Sequence, residues 1–371
     1  VRISGGVFSS AFNALSGSVI EISGGEINGA LNVRDADALI AGGRLRGISA
    51  YGGSRIEIQD VESAGILGVL DSSSARMAGG TVGGLILRAD SEFVFEGGTS
   101  DGPVFLTDTP TVRVKGGAMP GDVLYSGTLE VESGSVGNET SLATNASLSV
   151  RGGSVGDDLY AGGSNTIAIS AGKVGTGAQV TGGGLVIISG GSIEPGFHAR
   201  RGTAVVMSGG EIADDCTILQ QSRITISGET IGDRFSTLNA PVDLIVRSIK
   251  IDGTPRPIEP GEHILIDERD VLLDAFLADG TPIDFFLNTD LFRPDLDLFS
   301  RNSQLSAIGA LPSSCGPADL AEPLEQLDLA DIVLFVSSFL SQSAVADLNN
   351  DGVFGITDIR LFAEALTAGC D

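Results

Sequence analysis

Oxygen-bearing side chains stand at regular intervals in residues 347–358, which read DLNNDGVFGITD. Positions one, three, five and twelve of this stretch carry carboxylate or amide oxygens, and Gly352 at position six permits a sharp turn. Hard cations such as Ca²⁺ take oxygen ligands of this kind. The predicted calcium ligands are the side chains of Asp347, Asn349, Asp351 and Asp358 and the backbone carbonyl of Val353. Calcium is therefore the expected cofactor.

The predicted loop lies between two segments in which apolar residues recur with a helical period. The apolar residues are Ile332, Phe335, Val336, Phe339 and Leu340 in the first segment, and Ile359, Phe362, Ala363 and Leu366 in the second. The second set repeats the first at a distance of 27 residues, from position 332 to position 359, which indicates an internal duplication. From position 315 onward the sequence contains ten acidic residues and one basic residue, Arg360.

The tail at residues 313–371 resembles a dockerin module, because Asp358 closes the loop where ordinary EF-hands carry a bidentate Glu. Dockerins contain two loop–helix repeats related by near two-fold symmetry, and they bind calcium through both. In the first loop of this chain, Asp319 and Asp331 stand at the two ends, but an alanine and a proline replace the central oxygen ligands. The resemblance therefore implies a small all-α domain that binds one calcium ion.

The same resemblance implies a protein partner for the tail. Dockerins attach an enzyme or a scaffold component to a cohesin, and the residues just before the closing Asp of each loop help to choose that cohesin. The matching positions here are Leu329, Ala330, Ile356 and Thr357. They are largely apolar, and we expect the partner to be a cohesin-like protein or another cell-surface anchoring protein.

The three cysteines fall in two places. Cys315 and Cys370 bracket the tail, which predicts a disulfide between them, and Cys216 lies alone in the repeat region, where we expect a buried thiol. Cysteines that flank such a module resemble those of dockerin-like tails on secreted proteins of some environmental bacteria. That resemblance implies an anchoring role outside the cell.

A glycine pair returns along residues 1–239, as in the phrase ISGGEI at residues 22–27. The pairs are Gly5-Gly6, Gly24-Gly25, Gly42-Gly43, Gly79-Gly80, Gly97-Gly98, Gly116-Gly117, Gly152-Gly153, Gly190-Gly191 and Gly209-Gly210. Degenerate copies stand at Asp60-Val61, Ser133-Gly134, Ala171-Gly172 and Gly228-Glu229. The spacing is about 18 or 19 residues or a multiple of it, which gives about thirteen stacked units.

Aliphatic residues occupy fixed places around each glycine pair. Their places are shown by Ile20, Ile22, Ile27, Leu31 and Val33. Pairs two residues apart have the period of a strand with one buried face, and the glycines supply a corner with positive φ. A single coil cannot bury its apolar face alone, so coils must stack. The predicted fold is mainly β, a single-stranded parallel β-helix with the right-handed form favoured.

After residue 239 the glycine phrase stops and a β-rich cap is expected. Residues 271–277 and 281–287 flank Ala278-Asp279-Gly280, which predicts a hairpin. We therefore predict three parts: a parallel β-helix at residues 1–239, a cap and linker at residues 240–312, and the dockerin-like module at residues 313–371.

The composition excludes two classes of partner. The 371 residues carry a formal net charge of −26, and such an acidic protein is repelled by nucleic acid and by anionic lipid. No stretch approaches the roughly 18 to 20 apolar residues that span a bilayer, so we expect no membrane insertion. The sequence begins in mid-repeat at Val1, and we expect that an upstream segment has been removed.

Two functions fit this sequence. The first is a secreted or cell-surface structural or adhesive protein, held to its partner by the calcium-binding tail. Its glycine-rich coils resemble the passenger repeats of bacterial adhesins and autotransporters. The alternative is a polysaccharide lyase or glycoside hydrolase, because such enzymes also use the β-helix and dockerins usually accompany glycan-degrading catalysts. A polysaccharide ligand therefore stays open.

The residues favour the structural function over the enzyme. A polysaccharide-cleaving site needs a groove with carboxylates, a basic acid or base, and commonly aromatic platforms for sugar rings. His198, beside Arg200 and Arg201, and the pairs Asp157-Asp158 and Asp214-Asp215 all fall at expected corners, which are normally polar. We therefore assign no catalytic residue.

Overall fold

The computed structural model describes residues 1–63, 65–121, 124–290, 293, 295–310, 318–320, 327, 329–340, 346, 348 and 354–368. The fold is mainly β and forms a parallel β-solenoid of about 12 turns, followed by two helices in the described part of the tail. The predicted fold class is confirmed, and the turn count is close to the thirteen units predicted. The right-handed sense stays a prediction.

The strands of the repeat region are short, and many bend at a glycine pair. They are β1 Arg2–Phe8, β2 Phe12–Ala14, β3 Val19–Arg34, β4 Asp37–Tyr51, β5 Arg55–Ile58, β6 Glu62–Ser63, β7 Leu67–Val69, β8 Ser74–Met77, β9 Thr81–Val82, β10 Leu85–Arg88, β11 Glu92–Phe95, β12 Thr99–Ser100, β13 Val104–Thr107, β14 Thr111–Met119, β15 Leu124–Tyr125, β16 Thr128–Val136, β17 Ser141–Leu142, β18 Ser147–Val155, β19 Tyr160–Gly162, β20 Thr166–Val174, β21 Gln179–Thr181, β22 Leu185–Ile193, β23 His198–Arg200, β24 Ala204–Ile212, β25 Thr217–Leu219, β26 Arg223–Ile226, β27 Thr230–Ile231 and β28 Ser236–Leu238.

The remaining strands and the helices follow in chain order. They are β29 Val242–Ile251, β30 Thr254–Arg256, β31 His263–Ile266, β32 Leu272–Leu277, β33 Pro282–Phe286, β34 Leu298–Phe299, β35 Leu305–Gly309, α1 Leu329–Leu340 and α2 Ile356–Ala368. The chain divides into two compact units, one of residues 1–223 with 231–236 and one of residues 224–230 with 237–371. The division at 239 and 312 stays a prediction.

In the first unit each strand pairs in parallel with its equivalent in the next coil. Val186 of β22 lies beside Val205 of β24, and Ile188 beside Met207, at a separation of 19 residues. These four side chains are fully buried. Because successive residues of a strand point to opposite faces, the aliphatic pairs two apart all enter the same core. The repeat period therefore becomes a stack of like residues.

The glycine pairs form the predicted corners, but only one glycine of each pair takes the unusual backbone. The second glycine of all nine pairs has a positive φ, for example 71° at Gly191. A Cβ on Gly190 would instead lie 2.3 Å from the carbonyl oxygen of Ser170 in the preceding coil. The first glycine is therefore required for close approach between coils, and the second for its conformation.

Small polar side chains are buried at another corner of the coils, which sequence reasoning did not single out. Ser54, Ser73, Asn165 and Thr203 are at most 1% exposed. Ser54 Oγ donates to the carbonyl of Tyr51 at 2.6 Å, and Asn165 Oδ1 accepts from the Ala146 amide at 2.9 Å. These side chains satisfy backbone groups where the chain turns.

Outside the core, charged side chains of neighbouring coils pair across the surface. Arg76 contacts Glu57 on one side and Glu96 on the other, with nitrogen–oxygen distances of 3.4 Å and 2.6 Å. The Arg76 guanidinium holds the pKa of Glu96 below its ordinary value, mainly through the hydrogen bond. Half of the Arg76 side chain is exposed, so such pairs contribute little to stability each.

The second unit changes from parallel to antiparallel pairing. Its long strand β29 pairs in parallel with β35 and antiparallel with β30 and β32. The predicted hairpin is confirmed: β32 and β33 pair antiparallel, and Gly280 takes a φ of 94° at the turn. The Gly280 amide donates to the carbonyl of Leu277 at 2.9 Å, which closes the turn.

Candidate functional site

Three aspartates are buried in the described part of the helical tail. Asp319 is 3% exposed, and Asp331 and Asp358 are completely buried. An ionised carboxylate is costly to remove from water unless it is hydrogen-bonded, paired with a cation or bound to a metal. These three residues stand at the ends of the two loops that the sequence duplication defines.

Two of these carboxylates lie in the first turns of the helices and accept hydrogen bonds from backbone amides. Asp331 is the third residue of α1, and its Oδ1 accepts from the Leu320 amide at 2.7 Å. Asp358 is the third residue of α2, and its Oδ2 accepts from the Gly355 amide at 2.8 Å. A carboxylate in the first turn also interacts favourably with the helix dipole. Asp358 thus caps α2, because Gly355 directly precedes that helix, whereas the bond to Asp331 joins α1 to an earlier part of the chain, at Leu320.

The internal duplication is visible in the packing of the two helices. Phe335 of α1 and Phe362 of α2, which are 27 residues apart, stack with ring centroids 4.0 Å apart and planes 6° from parallel. Both rings are buried in a small core with Ala318, Leu320 and Ala346. Equivalent residues that contact each other are the arrangement expected at a two-fold axis.

The predicted calcium ligands are only partly within the described residues. Asp358 is described, whereas Asp347, Asn349, Asp351 and Val353 lie outside them, as do both cysteines of the predicted disulfide, Cys315 and Cys370. Among the described residues, no group of three or more His, Cys, Asp or Glu side chains is placed to hold a metal. The ligand set and the disulfide therefore stay predictions. Their donor chemistry, carboxylate, amide and carbonyl oxygen, fits calcium.

One face of α1 is apolar and exposed. Its side chains are Leu329, Ile332, Val333, Val336 and Leu340, with exposures from 36% at Ile332 to 79% at Leu340. We call this set the α1 stripe. The sequence analysis had grouped Ile332, Val336 and Leu340 with Phe335 and Phe339 on one helix face. The structure divides that group, because α1 is apolar on nearly all sides. Of the grouped residues, the two phenylalanines pack into the core, together with Leu334 of the same helix.

The predicted partner-binding positions lie at the starts of the two helices. Leu329 and Ile356 are 71% and 82% exposed, and Thr357 is also exposed. Ala330 lies in the first turn of α1, between Leu329 and Asp331. The exposed positions are available to a partner. The α1 stripe extends the predicted surface along the whole of that helix.

The charged corners of the solenoid have structural partners. Arg234 Nε contacts Asp215 Oδ1 at 2.6 Å and lowers the pKa of that carboxyl. Asp157 Oδ1 accepts from the amide of Thr176 at 2.8 Å, and Asp214 Oδ1 likewise accepts from a backbone amide. These contacts agree with the expectation that the paired carboxylates are corner residues.

His198 is half-buried on β23. Burial, and then the charge of Arg200, lower its pKa below the ordinary value, while Asp215 acts in the opposite direction. His198 Nδ1 and Arg200 Nε are buried atoms, and neither has a hydrogen-bond partner among the described residues. The imidazole is therefore neutral at neutral pH and can both donate and accept hydrogen bonds.

The repeat region also contains the buried Cys216 and the outward aromatic residues Phe105 and Tyr160. Cys216 is a fully buried free thiol, as predicted, and burial raises its pKa. Phe105 and Tyr160 project outward and are about half exposed, at 55% and 47%. Sequence reasoning missed both aromatic residues. Their outward position follows from strand alternation, since each stands next to an inward aliphatic or alanine residue.

Within the described residues, no helix has both the length and the apolar character needed to cross a membrane. The likeness to dockerins and to adhesin repeats rests on the sequence motifs given above. Comparison of the chain with protein-family models, with curated proteins and with solved structures gives no match.

Proposed function

We propose that this protein is a secreted or cell-surface structural protein, in which a parallel β-solenoid is attached to a protein partner through a calcium-dependent, dockerin-like tail. The observation that carries the proposal is the α1 stripe. A helix that is apolar on nearly all sides is normally buried. Five large apolar side chains on one exposed helix face are therefore the feature expected of a docking surface.

The acidic composition of the tail sequence indicates the kind of partner. The sequence from position 315 onward carries ten acidic residues and one basic residue. A second copy of this chain would bring like charges together, which opposes self-association through this face. The partner that fits is a cohesin-like anchoring protein with an apolar surface surrounded by lysine and arginine.

Calcium would supply positive charge, of which the tail has little. Arg360, the basic residue of the tail, is largely exposed and pairs with Glu364 at 3.5 Å. Arg247 of β29 interacts electrostatically with Asp319. A divalent cation in the loop at residues 347–358 would add charge compensation beside Asp358 and fix the start of α2. The docking surface would then depend on calcium, because α1 and α2 share one small core.

The test uses the full chain. Isothermal titration with CaCl₂ should show one site, and Asp351→Ala or Asp358→Asn should remove it. A panel of recombinant cohesin modules is then tested for binding by biolayer interferometry, with calcium and with EGTA. We expect calcium-dependent binding that Val336→Asp abolishes and that Ala363→Asp, at the equivalent position of α2, retains.

Two results would contradict the proposal. If the chain binds no calcium, the interpretation of the tail as a dockerin-like module is wrong. If calcium binds but no module of the panel does, or if Val336→Asp and Ala363→Asp bind equally well, the α1 stripe is not the docking surface.

A further inference from the structure

A line of paired strand positions crosses six coils of the solenoid, and the side chains of Phe105, Ser141, Tyr160, Gln179 and His198 on it are at least partly exposed. The pairing register places Phe105 beside Leu124, Leu124 beside Ser141, Ser141 beside Tyr160, Tyr160 beside Gln179, and Gln179 beside His198. Neighbouring positions are about 4.8 Å apart, the spacing between paired strands. We call this line the Tyr160 ladder. Its two aromatic rings are three steps, or about 14 Å, apart.

The ring of Tyr160 lies down along its own strand. A Cβ placed on Gly162 would be 3.1 Å from Cε1 and 3.3 Å from the hydroxyl oxygen of Tyr160. The outer end of the ring therefore covers Gly162, and nearly half of the side chain stays in water. A glycine two residues after the tyrosine, on the same side of the strand, leaves room for the ring to lie against the sheet.

Polar groups continue the ladder beyond the ring. Gln179 and His198 occupy the next two steps on one side, and Ser141 occupies the step on the other. His198 is half-buried and its Nδ1 is a buried atom, so Nε2 is the imidazole nitrogen that can face a ligand. An amide, an imidazole and a hydroxyl can each donate and accept hydrogen bonds. The ladder thus combines open aromatic surface with groups that suit hydroxyl ligands.

We propose that the Tyr160 ladder binds a neutral glycan chain. The ring of Tyr160 would stack against the C–H face of one sugar, while Gln179 and His198 would form hydrogen bonds with hydroxyls of the neighbouring sugars. A neutral ligand is favoured around Tyr160 because Glu139 and Asp158, both exposed, precede the strands of Ser141 and Tyr160 and repel polyanions there, while Arg200 is a cation near His198. This binding goes beyond the anchoring role and is independent of the tail.

The test measures the affinity of the full chain for soluble arabinoxylan and mixed-linkage β-glucan by affinity electrophoresis, with polygalacturonate as the acidic comparison. Tyr160→Ala should weaken binding of a neutral glycan by at least tenfold. Gly162→Ala should weaken it several-fold, because the added methyl displaces the ring without deleting it. The matched control is Val206→Ala, which trims an outward apolar residue on another face, and it should bind as the unaltered chain does.

Circular dichroism and thermal melting show whether each variant keeps the solenoid. Gly162 has no positive φ, so alanine there causes no backbone strain. No binding to either neutral glycan, binding to polygalacturonate alone, or equal affinities in folded Tyr160→Ala, Gly162→Ala and Val206→Ala would overturn the proposal. Self-association that Tyr160→Ala abolishes, measured by light scattering, would identify a second copy as the ligand and would also overturn it.

Discussion

The solenoid and the helical tail both bury polar side chains, but they bury different kinds. In the solenoid the buried groups include the neutral hydroxyls and amides of Ser54, Asn165 and Thr203, which bond to backbone atoms of the coils. In the tail they include the carboxylates of Asp331 and Asp358. A neutral group needs only a hydrogen bond, whereas a buried charge needs compensation as well. The difference makes the tail, rather than the solenoid, the part in which a bound cation is expected to matter.

Calcium removal tests the comparison most severely. We expect EGTA to abolish the unfolding transition of the tail and to leave that of the solenoid unchanged. A domain of under about 60 residues buries too little apolar surface to be stable without a further interaction such as a bound metal. Asp358→Asn should have the same effect in the presence of calcium, and Glu364→Gln, on the exposed side of α2, should not. Scanning calorimetry of the full chain measures both. An unchanged unfolding transition of the tail in EGTA would show that the tail needs calcium no more than the solenoid does.

Substitution of the glycine pair tests the stability of the solenoid coils. Gly190→Val places an atom 2.3 Å from the Ser170 carbonyl, and Gly191→Val forces a β-branched residue to a φ of 71°. Each should cost more than about 2 kcal/mol, against about 0.5 kcal/mol or less for Ser192→Val on the outer surface. Urea unfolding monitored by circular dichroism gives the differences. Equal tolerance at the three positions would refute the corner geometry.

Loss of one buried amide should have a smaller effect. Asn165→Ala removes the 3.0 Å bond to the Gly162 carbonyl and the 2.9 Å bond from the Ala146 amide, which keeps its 3.1 Å bond to the Ala143 carbonyl. The expected cost is about 1–3 kcal/mol, measured by urea unfolding. Thr166→Ala, the exposed neighbour, is the control. A neutral outcome at Asn165 would show that water replaces the amide.

The smallest effect is expected from the surface ion pairs at low pH. The pKa of Glu96 is lowered in the folded state by Arg76, so the pair stabilises the fold above the ordinary glutamate pKa of about 4.3. That contribution is lost as the pH falls through the lowered value. Arg76→Gln should flatten the fall in melting temperature as the pH drops below the ordinary glutamate pKa of about 4.3. Identical pH profiles for the variant and the unaltered chain would show that the pair contributes nothing.

The solenoid was largely predictable because its signals are local and repeated. The spacing of the glycine pairs and the aliphatic positions around them identify the strands, the corners and the parallel stacking. The separate functions of Gly190 and Gly191 could not be predicted, since they depend on how closely one coil approaches the next. The buried serines were missed for a related reason: a serine at a turn has the same local sequence whether it faces water or the core.

The tail was predictable in its duplication but not in its exposed surface. The helical period of the apolar residues from Ile332 onward, and its repetition 27 residues later from Ile359 onward, identified both helices. An apolar period, however, identifies a buried face only when the other faces are polar, and α1 has almost no polar face. The same limit applies to Tyr160, since alternation places it outward but does not show that its ring lies over Gly162.

The parallel register of the coils determines how the solenoid responds to mechanical force. Hydrogen bonds between coils such as those of β22 and β24 point along the stacking direction, so tension along that direction loads many bonds at once. Coils joined by long strands share this load widely. At β9 and β12 each strand has only two residues. Under tension, rupture in the first unit should therefore begin where these short strands meet, and the coils with longer strands should separate later.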